Sequence, residues 1–260
     1  MRERIAGRLT PYLLASTILP YLICCCGAIP FQWTALLRLA ALALGVALWY
    51  RVLPANLASD LAFLLFIPTV LLGHFFDAIY AAPVHGLDLV VLGHLTLIQM
   101  SVMALMLERR IPETGYGFIP TAHEWRTGAM NYLYFAAIGF PLALALRALH
   151  YAGLQPAWKI AGAFFATLWV VALSEEFFFR GVLQQWLEDW TRHRIAALLL
   201  ASLAFGAVHL WFRGFPNWRW FLIATILGFF CGRARNEAGS IRASMVTHAL
   251  VVTTWRAFFS

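Results

Sequence analysis

Apolar residues in this 260-residue chain arrive in blocks of about 18–22, separated by short polar stretches. A helix rises about 1.5 Å per residue, so each block matches the roughly 30 Å hydrocarbon layer of a bilayer. Backbone N–H and C=O groups in that layer find no water, which leaves helices for single segments of this length. The expected fold is therefore all-α: a polytopic transmembrane helical bundle of about eight to nine spans. Candidate spans run over 11–29, 33–50, 60–80, 88–107, 130–149, 160–187, 195–212, 217–232 and 241–258. Composition agrees, with 62% hydrophobic and 12% charged residues against roughly 45–50% and 25% in soluble domains. A water-soluble globule and a disordered chain are both excluded.

The net charge of +7 comes from 19 basic and 12 acidic residues, and all but Lys159 of the basic ones are arginine. They stand singly or in pairs between apolar blocks, a topogenic pattern that argues against nucleic-acid binding and makes the lipid bilayer the first partner. With the N-terminus inside, twelve arginines fall on inner segments. Five basic residues fall outside: Arg147, Lys159, Arg213, Arg219 and Arg256. The expectation is a multi-pass cell-membrane protein with a cytoplasmic N-terminus and an opposite C-terminus. The bias to arginine and the lack of a transit peptide suggest a bacterial inner membrane. MRERIAGRLT has the charge of a signal sequence, but the long block after it lacks an A-x-A site and reads as a retained span. Cys24, Cys25 and Cys26 are consecutive and Cys231 stands alone, so neither a disulfide framework nor a CxxC metal site is expected. The polar stretch Glu108–Met130, with Pro112 and Pro120, marks one boundary, between accessory N-terminal helices over 1–107 and a helical core over 114–258.

Ionisable groups deep in a membrane are costly and become functional candidates. Nine of the twelve acidic residues sit in loops or termini, and Asp77 lies near a span end. Glu175 and Glu176 are different, adjacent in the middle of LWVVALSEEFFFRGVL. Helical neighbours diverge by about 100°, whereas residues four apart share a face. Glu176 and Arg180 therefore pair and neutralise each other. Glu175 points elsewhere, free to face a cavity and act as a general base. A purely structural salt bridge accounts for Glu176 and Arg180 but leaves Glu175 over. His209, with Phe205 one turn before it, and His248 also fall within spans. Measured from the inner span ends, Glu175, His209 and His248 lie about 18, 21 and 10 Å deep, so all three are inside the hydrocarbon layer. His74, with Asp77 three residues on, and His94 read as structural or accessory; His85, His123, His150 and His193 read as loop or interface residues. HExxH and GxSxG motifs are missing.

Glu175-Glu176-x-x-x-Arg180, Phe205-x-x-x-His209 and a late His248 together resemble the CAAX protease and bacteriocin-processing (CPBP, or Abi) family of intramembrane proteases, whose best-known branch is the type II CAAX prenyl endopeptidase. The resemblance spans about residues 114–258, including GFIPTAHEWRTG. It implies that Glu175 and His209 hold and activate a water, that Glu176 and Arg180 form a supporting pair, and that His248 helps stabilise the oxyanion. A glutamic mechanism without cofactor is the preferred reading. Zinc held by Glu175, His209 and His248 is the alternative, because two histidines and a glutamate make a catalytic zinc set. Dedicated partners for each histidine, which zinc sites usually bring, are not evident in the sequence. One departure stands out: the family's last motif has Asn or Asp four residues after the histidine, where this chain has Val252. Valine cannot donate, so Thr253 and Ser244 are the candidate substitutes. The expected function is an integral-membrane endopeptidase acting on a membrane-associated protein or peptide, such as a CAAX-type or C-terminal sorting tail or a bacteriocin-like leader. The competing reading is a non-catalytic scaffold or a proton-coupled transporter using the same buried residues, although inverted repeats and broken helices are not visible.

Overall fold

The computed structural model describes residues 9–81 and 89–259, where nine helical rods and no strand make up the regular structure. They are α1 (Leu9–Cys25), α2 (Trp33–Val52), α3 (Leu57–Leu72), α4 (Val90–Glu108) and α5 (Ala122–Ala145), followed by α6 (Ala157–Thr191), α7 (Arg194–Trp211), α8 (Trp218–Ala238) and α9 (Ile241–Phe258). Expectations resting on Arg2, Arg4, Arg8, His85, Asp88 and Ser260 lie outside the described residues.

The all-helical membrane fold is present, with corrections to the spans. Five helices, α2 and α4–α7, are long and apolar enough to cross a membrane. Both α1 and α3 are shorter apolar helices. Helices α8 and α9 have 21 and 18 residues but carry Arg219, Arg233, Arg235 and Glu237, and Arg242 and Arg256. A helix sheltered by protein need not be apolar all round. The block expected over 60–80 stops at Leu72, where Gly73 caps the helix and His74 turns left-handed (φ 54°). The block expected to begin at 130 begins at 122. Thr121 accepts from the Glu124 amide and the Glu124 side chain bonds back to the Thr121 amide, a capping box that draws AHEWRTG into the helix.

The chain divides into two compact units, Met1–Pro112 and Glu113–Ser260. In the first, Asp60 is buried at the start of α3 and accepts two 2.8 Å bonds from Arg109. So this carboxylate is a helix-end ion pair, not a loop residue.

In the second unit α9 is the central helix, packed on α5, α6 and α8. Its small residues Ala243, Ser244, Thr247 and Ala249 are all buried. Gly128 lets α5 come this close, because a Cβ there would lie 2.6 Å from the Ala243 carbonyl. Thr247 donates to the Gly128 carbonyl at 2.9 Å, and Arg242 forms a salt bridge to the buried Glu124 at 2.8 Å. These polar ties fix the height of α9, and with it His248, against its neighbours.

Candidate active site

Helix α6 is not a uniform α-helix. Wide π-turns over Thr167–Ala172 and Phe177–Leu183 flank a single α-turn, Leu173–Glu176. A π-turn inserts a residue into the helical register, and such bulges gather at functional sites. Both glutamates lie on that α-turn. Glu176 is fully buried, whereas the Glu175 side chain keeps about a third of its surface (35%). The divergence expected of helical neighbours thus separates a sealed carboxylate from an accessible one.

Arg180 Nε lies 3.1 Å from Glu176 Oε2, and neither side chain has any exposed surface. The guanidinium stacks 5.0 Å above the Phe205 ring and 5.8 Å from that of Phe179. Gly228 on α8 faces it, and a Cβ there would sit 3.3 Å from Arg180 Nη2. The other oxygen of Glu176, Oε1, accepts from His248 Nδ1 at 2.7 Å, across 72 residues of sequence. With Nδ1–H donating to Glu176, His248 turns Nε2 toward Glu175, 3.8 Å from Oε2. Three groups on two helices therefore form a line: Glu176, His248, Glu175.

His209 occupies the last turn of α7, where a 3₁₀ segment (His209–Trp211) tightens the helix end. Its Nδ1 donates to the Phe205 carbonyl at 2.7 Å, which leaves Nε2 as the outward-facing nitrogen. The Phe205 ring lies 4.7 Å from the His209 ring and edge-on to His248 at 5.9 Å. Phe-x-x-x-His is thus a packing device: one buried ring supports both imidazoles and the Arg180 cation. A cavity of about 90 Å³ opens against His209, His248 and Val252, and its other walls include Phe135, Phe212, Trp220 and Trp255.

The two hydroxyls named as substitutes for the family's Asn or Asp are both buried. Ser244 donates to the Cys231 carbonyl at 2.7 Å within the core. Among the described residues the buried Thr253 hydroxyl has no hydrogen-bond partner, and Val252, not Thr253, lines the cavity.

The zinc alternative also meets a different geometry. Among the described residues, the donors gathered within 4.8 Å of one another belong to Glu176, Cys231 and His248, not to Glu175, His209 and His248. A dication at the former set would face the Arg180 cation, already 3.1 Å from Glu176. The expectation that the histidines lack dedicated partners is also corrected, since each Nδ1 is held.

Two parts of this site escaped sequence reasoning. Cys231 carries no motif, and only folding brings it to Glu176. Gln184 is fully buried, donates to Asn236 Oδ1 at 3.1 Å, and continues the face of Glu176 and Arg180 toward Glu188, which accepts from Arg235 at 3.2 Å. The four-residue spacing 176, 180, 184, 188 was the available signal. Three of the other histidines are structural: His74 contacts Asp77 at 2.8 Å on the surface, His94 packs on Phe76, and His193 caps α7 by accepting from the Ala196 amide.

Residues 156–254 match the Rce1-like type II CAAX prenyl endopeptidase family. Over these residues the chain is similar to that family. The matched segment holds Glu175, Glu176, Arg180, Phe205, His209, Ser244, His248 and Thr253, and runs through α6–α9. The chain is also 34% identical over 87 residues to the uncharacterized protein YpbD of Bacillus subtilis (strain 168). That stretch is 34% of this chain and 40% of YpbD, so the chain spans well under half of this relative. No solved structure matches the chain. The match covers the second compact unit from α6 to Thr254, while α5 and the whole first unit lie outside it.

Proposed function

We propose that the Rce1-like core is a CAAX-type endopeptidase of the cell membrane that hydrolyses a peptide bond of a membrane-associated substrate through a water held by Glu175 and His209. The observation that carries this reading is the 3.8 Å gap between Glu175 Oε2 and His248 Nε2, with His248 fixed from behind by Glu176. An accessible carboxylate beside an oriented imidazole is the pairing that general-base hydrolysis needs.

In this mechanism Glu175 accepts a proton from the water as its oxygen attacks the carbonyl carbon, and His209 Nε2 helps orient it. The carbonyl oxygen becomes an oxyanion that accepts the Nε2–H of His248, which acts as an imidazolium with its Nδ1–H still held by Glu176. Collapse breaks the C–N bond, and the proton on Glu175 passes to the leaving amine. Glu176 and Arg180 act one step back, holding His248 at its angle and balancing its charge. The cavity is lined by His209 and His248 but not by Glu175, whose side chain keeps about a third of its surface. The glutamic route is preferred to zinc because the accessible glutamate is not among the clustered donors. A proton-coupled transporter is less well supported, since a relay needs a polar path and the cavity walls are mainly apolar and aromatic. A bacterial inner membrane, with the N-terminus cytoplasmic and a sorting tail or bacteriocin-like leader as substrate, belongs to the same proposal.

The test is purified full-length protein in nanodiscs, incubated with a library of membrane-anchored peptides and read by mass spectrometry, with and without chelator. Cleavage that survives chelation and disappears in Glu175→Gln is expected. Turnover retained by Glu175→Gln refutes the mechanism, and loss on chelation with recovery on zinc replaces it with a metalloprotease.

A further inference from the structure

The loops after α5 and α7 meet the first turn of α8 around a second concavity, of about 470 Å³. Arg147, His150, Arg213 and Arg219 line it, together with Asn217 and Trp218, and no Asp or Glu contributes to its walls. Elsewhere in this unit Arg180, Arg233, Arg235 and Arg242 each meet a carboxylate within 3.2 Å. Among the described residues, the arginines of this pocket have no such partner.

The charges are nonetheless held in place. Arg213 lies over three rings, 5.6 Å from Phe212, 5.9 Å from Trp220 and 5.5 Å from Trp255. Its backbone is left-handed (φ 58°), as is that of Arg147 (φ 53°), a conformation that non-glycine residues adopt at some cost. Arg219 donates to the Arg147 carbonyl at 3.4 Å and so ties the two loops together. The 21-residue helix α8 starts here, with Asn217 as its N-cap, so the positive end of its dipole faces the same space. Three arginines and a helix N-terminus around one concavity with no acidic wall residue make its potential positive and suit it to an anion. Trp211, Phe215 and Trp218 stand exposed around this loop at 54%, 61% and 63%. Such aromatic side chains mark the boundary between hydrocarbon and headgroups.

We infer that this pocket binds the phosphate of an anionic phospholipid headgroup. The exposed aromatic rings select the source: they place the basic concavity at headgroup depth, where a lipid phosphate is always present and a soluble anion must compete with it. Trp220 lines both this pocket and the cavity at His209 and His248, so a bound lipid would sit one ring away from the site. The proposal does not depend on the chain being a protease.

The experiment uses the delipidated full-length protein and compares phosphatidylglycerol, phosphatidylcholine and inorganic phosphate by native mass spectrometry and by thermal shift. Phosphatidylglycerol should be retained preferentially and raise the melting temperature. Arg213→Gln and Arg219→Gln should each weaken its retention by about fivefold, and the pair by about 25-fold. Arg126→Gln, an exposed arginine on α5, should change nothing and controls for net charge. Arg213→Lys, which keeps the charge, should retain most of the binding. If the double variant melts early in phosphatidylcholine, Arg219→Gln alone decides, because the hydrogen bond of its side chain is to a loop carbonyl. Equal retention of the two lipids, or unchanged retention in Arg219→Gln, overturns the proposal. So does inorganic phosphate that protects as well as the lipid, or a peptide whose free C-terminal carboxylate displaces the lipid where its amide does not. The last result reassigns the pocket to a substrate terminus.

Discussion

Replacing Arg180 by methionine tests how the buried charges at the site are balanced. Methionine keeps much of the side-chain length and can still pack on Phe205, so the main loss is the cation. Glu176, fully buried, retains the 2.7 Å bond from His248 but loses the group 3.1 Å from its second oxygen. Stranding one member of a buried pair costs about 3–5 kcal/mol. The surviving His248 bond holds this to about 3 kcal/mol, and the lost stacking of guanidinium on Phe205 adds roughly 1 kcal/mol. At about 2–4 °C per kcal/mol for a chain of this size, the total of about 4 kcal/mol lowers the melting temperature by roughly 8–16 °C. Thermal unfolding in a fixed detergent, followed by tryptophan fluorescence, measures it. Adding Glu176→Gln to Arg180→Met should recover about half the loss, since a neutral amide needs no counter-charge. If Arg180→Met alone melts within about 3 °C of the parent, the pair is not the electrostatic centre of the fold and the argument fails.

Glu175→Gln should lower cleavage by about 10²–10⁴-fold while moving the melting temperature by less than about 2 °C, because this side chain is partly exposed. Ser244→Ala removes a buried bond to the Cys231 carbonyl and should cost about 1 kcal/mol with turnover nearly unchanged. Thr253→Val removes a buried hydroxyl that has no partner and should be neutral or stabilising; a tenfold fall in rate would instead make Thr253 the oxyanion donor, while Val252→Asn should be tolerated or mildly activating. In cells, cysteines introduced at Glu113 and Ser260 of a variant lacking Cys24–Cys26 should label from opposite sides; Glu113 is the better probe because Thr114 is buried. Equal labelling would remove the nine-span topology.

Much of the architecture is local and was open to reading. A block of about twenty apolar residues has only helix available to it in lipid, so the blocks foretold the helical rods. There are nine among the described residues, of which five are long and apolar enough to cross a membrane. The Glu176–Arg180 pair follows from four-residue spacing, and the bond from His209 to the Phe205 carbonyl from the same spacing at a helix end. Thr121-x-x-Glu124 was an equally local signal, a capping box, and it moved a helix start by two turns from where hydropathy alone had put it. Helix α6 kept its place in the sequence, but its two π-turns carry no propensity signal that marks them. What only the tertiary structure decided lies between helices. Glu176 and His248 are 72 residues apart, and their bond exists because Thr247, Arg242 and Gly128 set the height of α9 against α5. The approach of Cys231, the seating of Arg180 on Phe205 and the convergence of Arg147, Arg213 and Arg219 have the same origin. Hydropathy and helical period act on neighbours along one chain segment, so they determine which residues are buried and which share a face. Which faces meet is set by steric fit and by the pairing of buried charges, and those forces act only once the helices are packed.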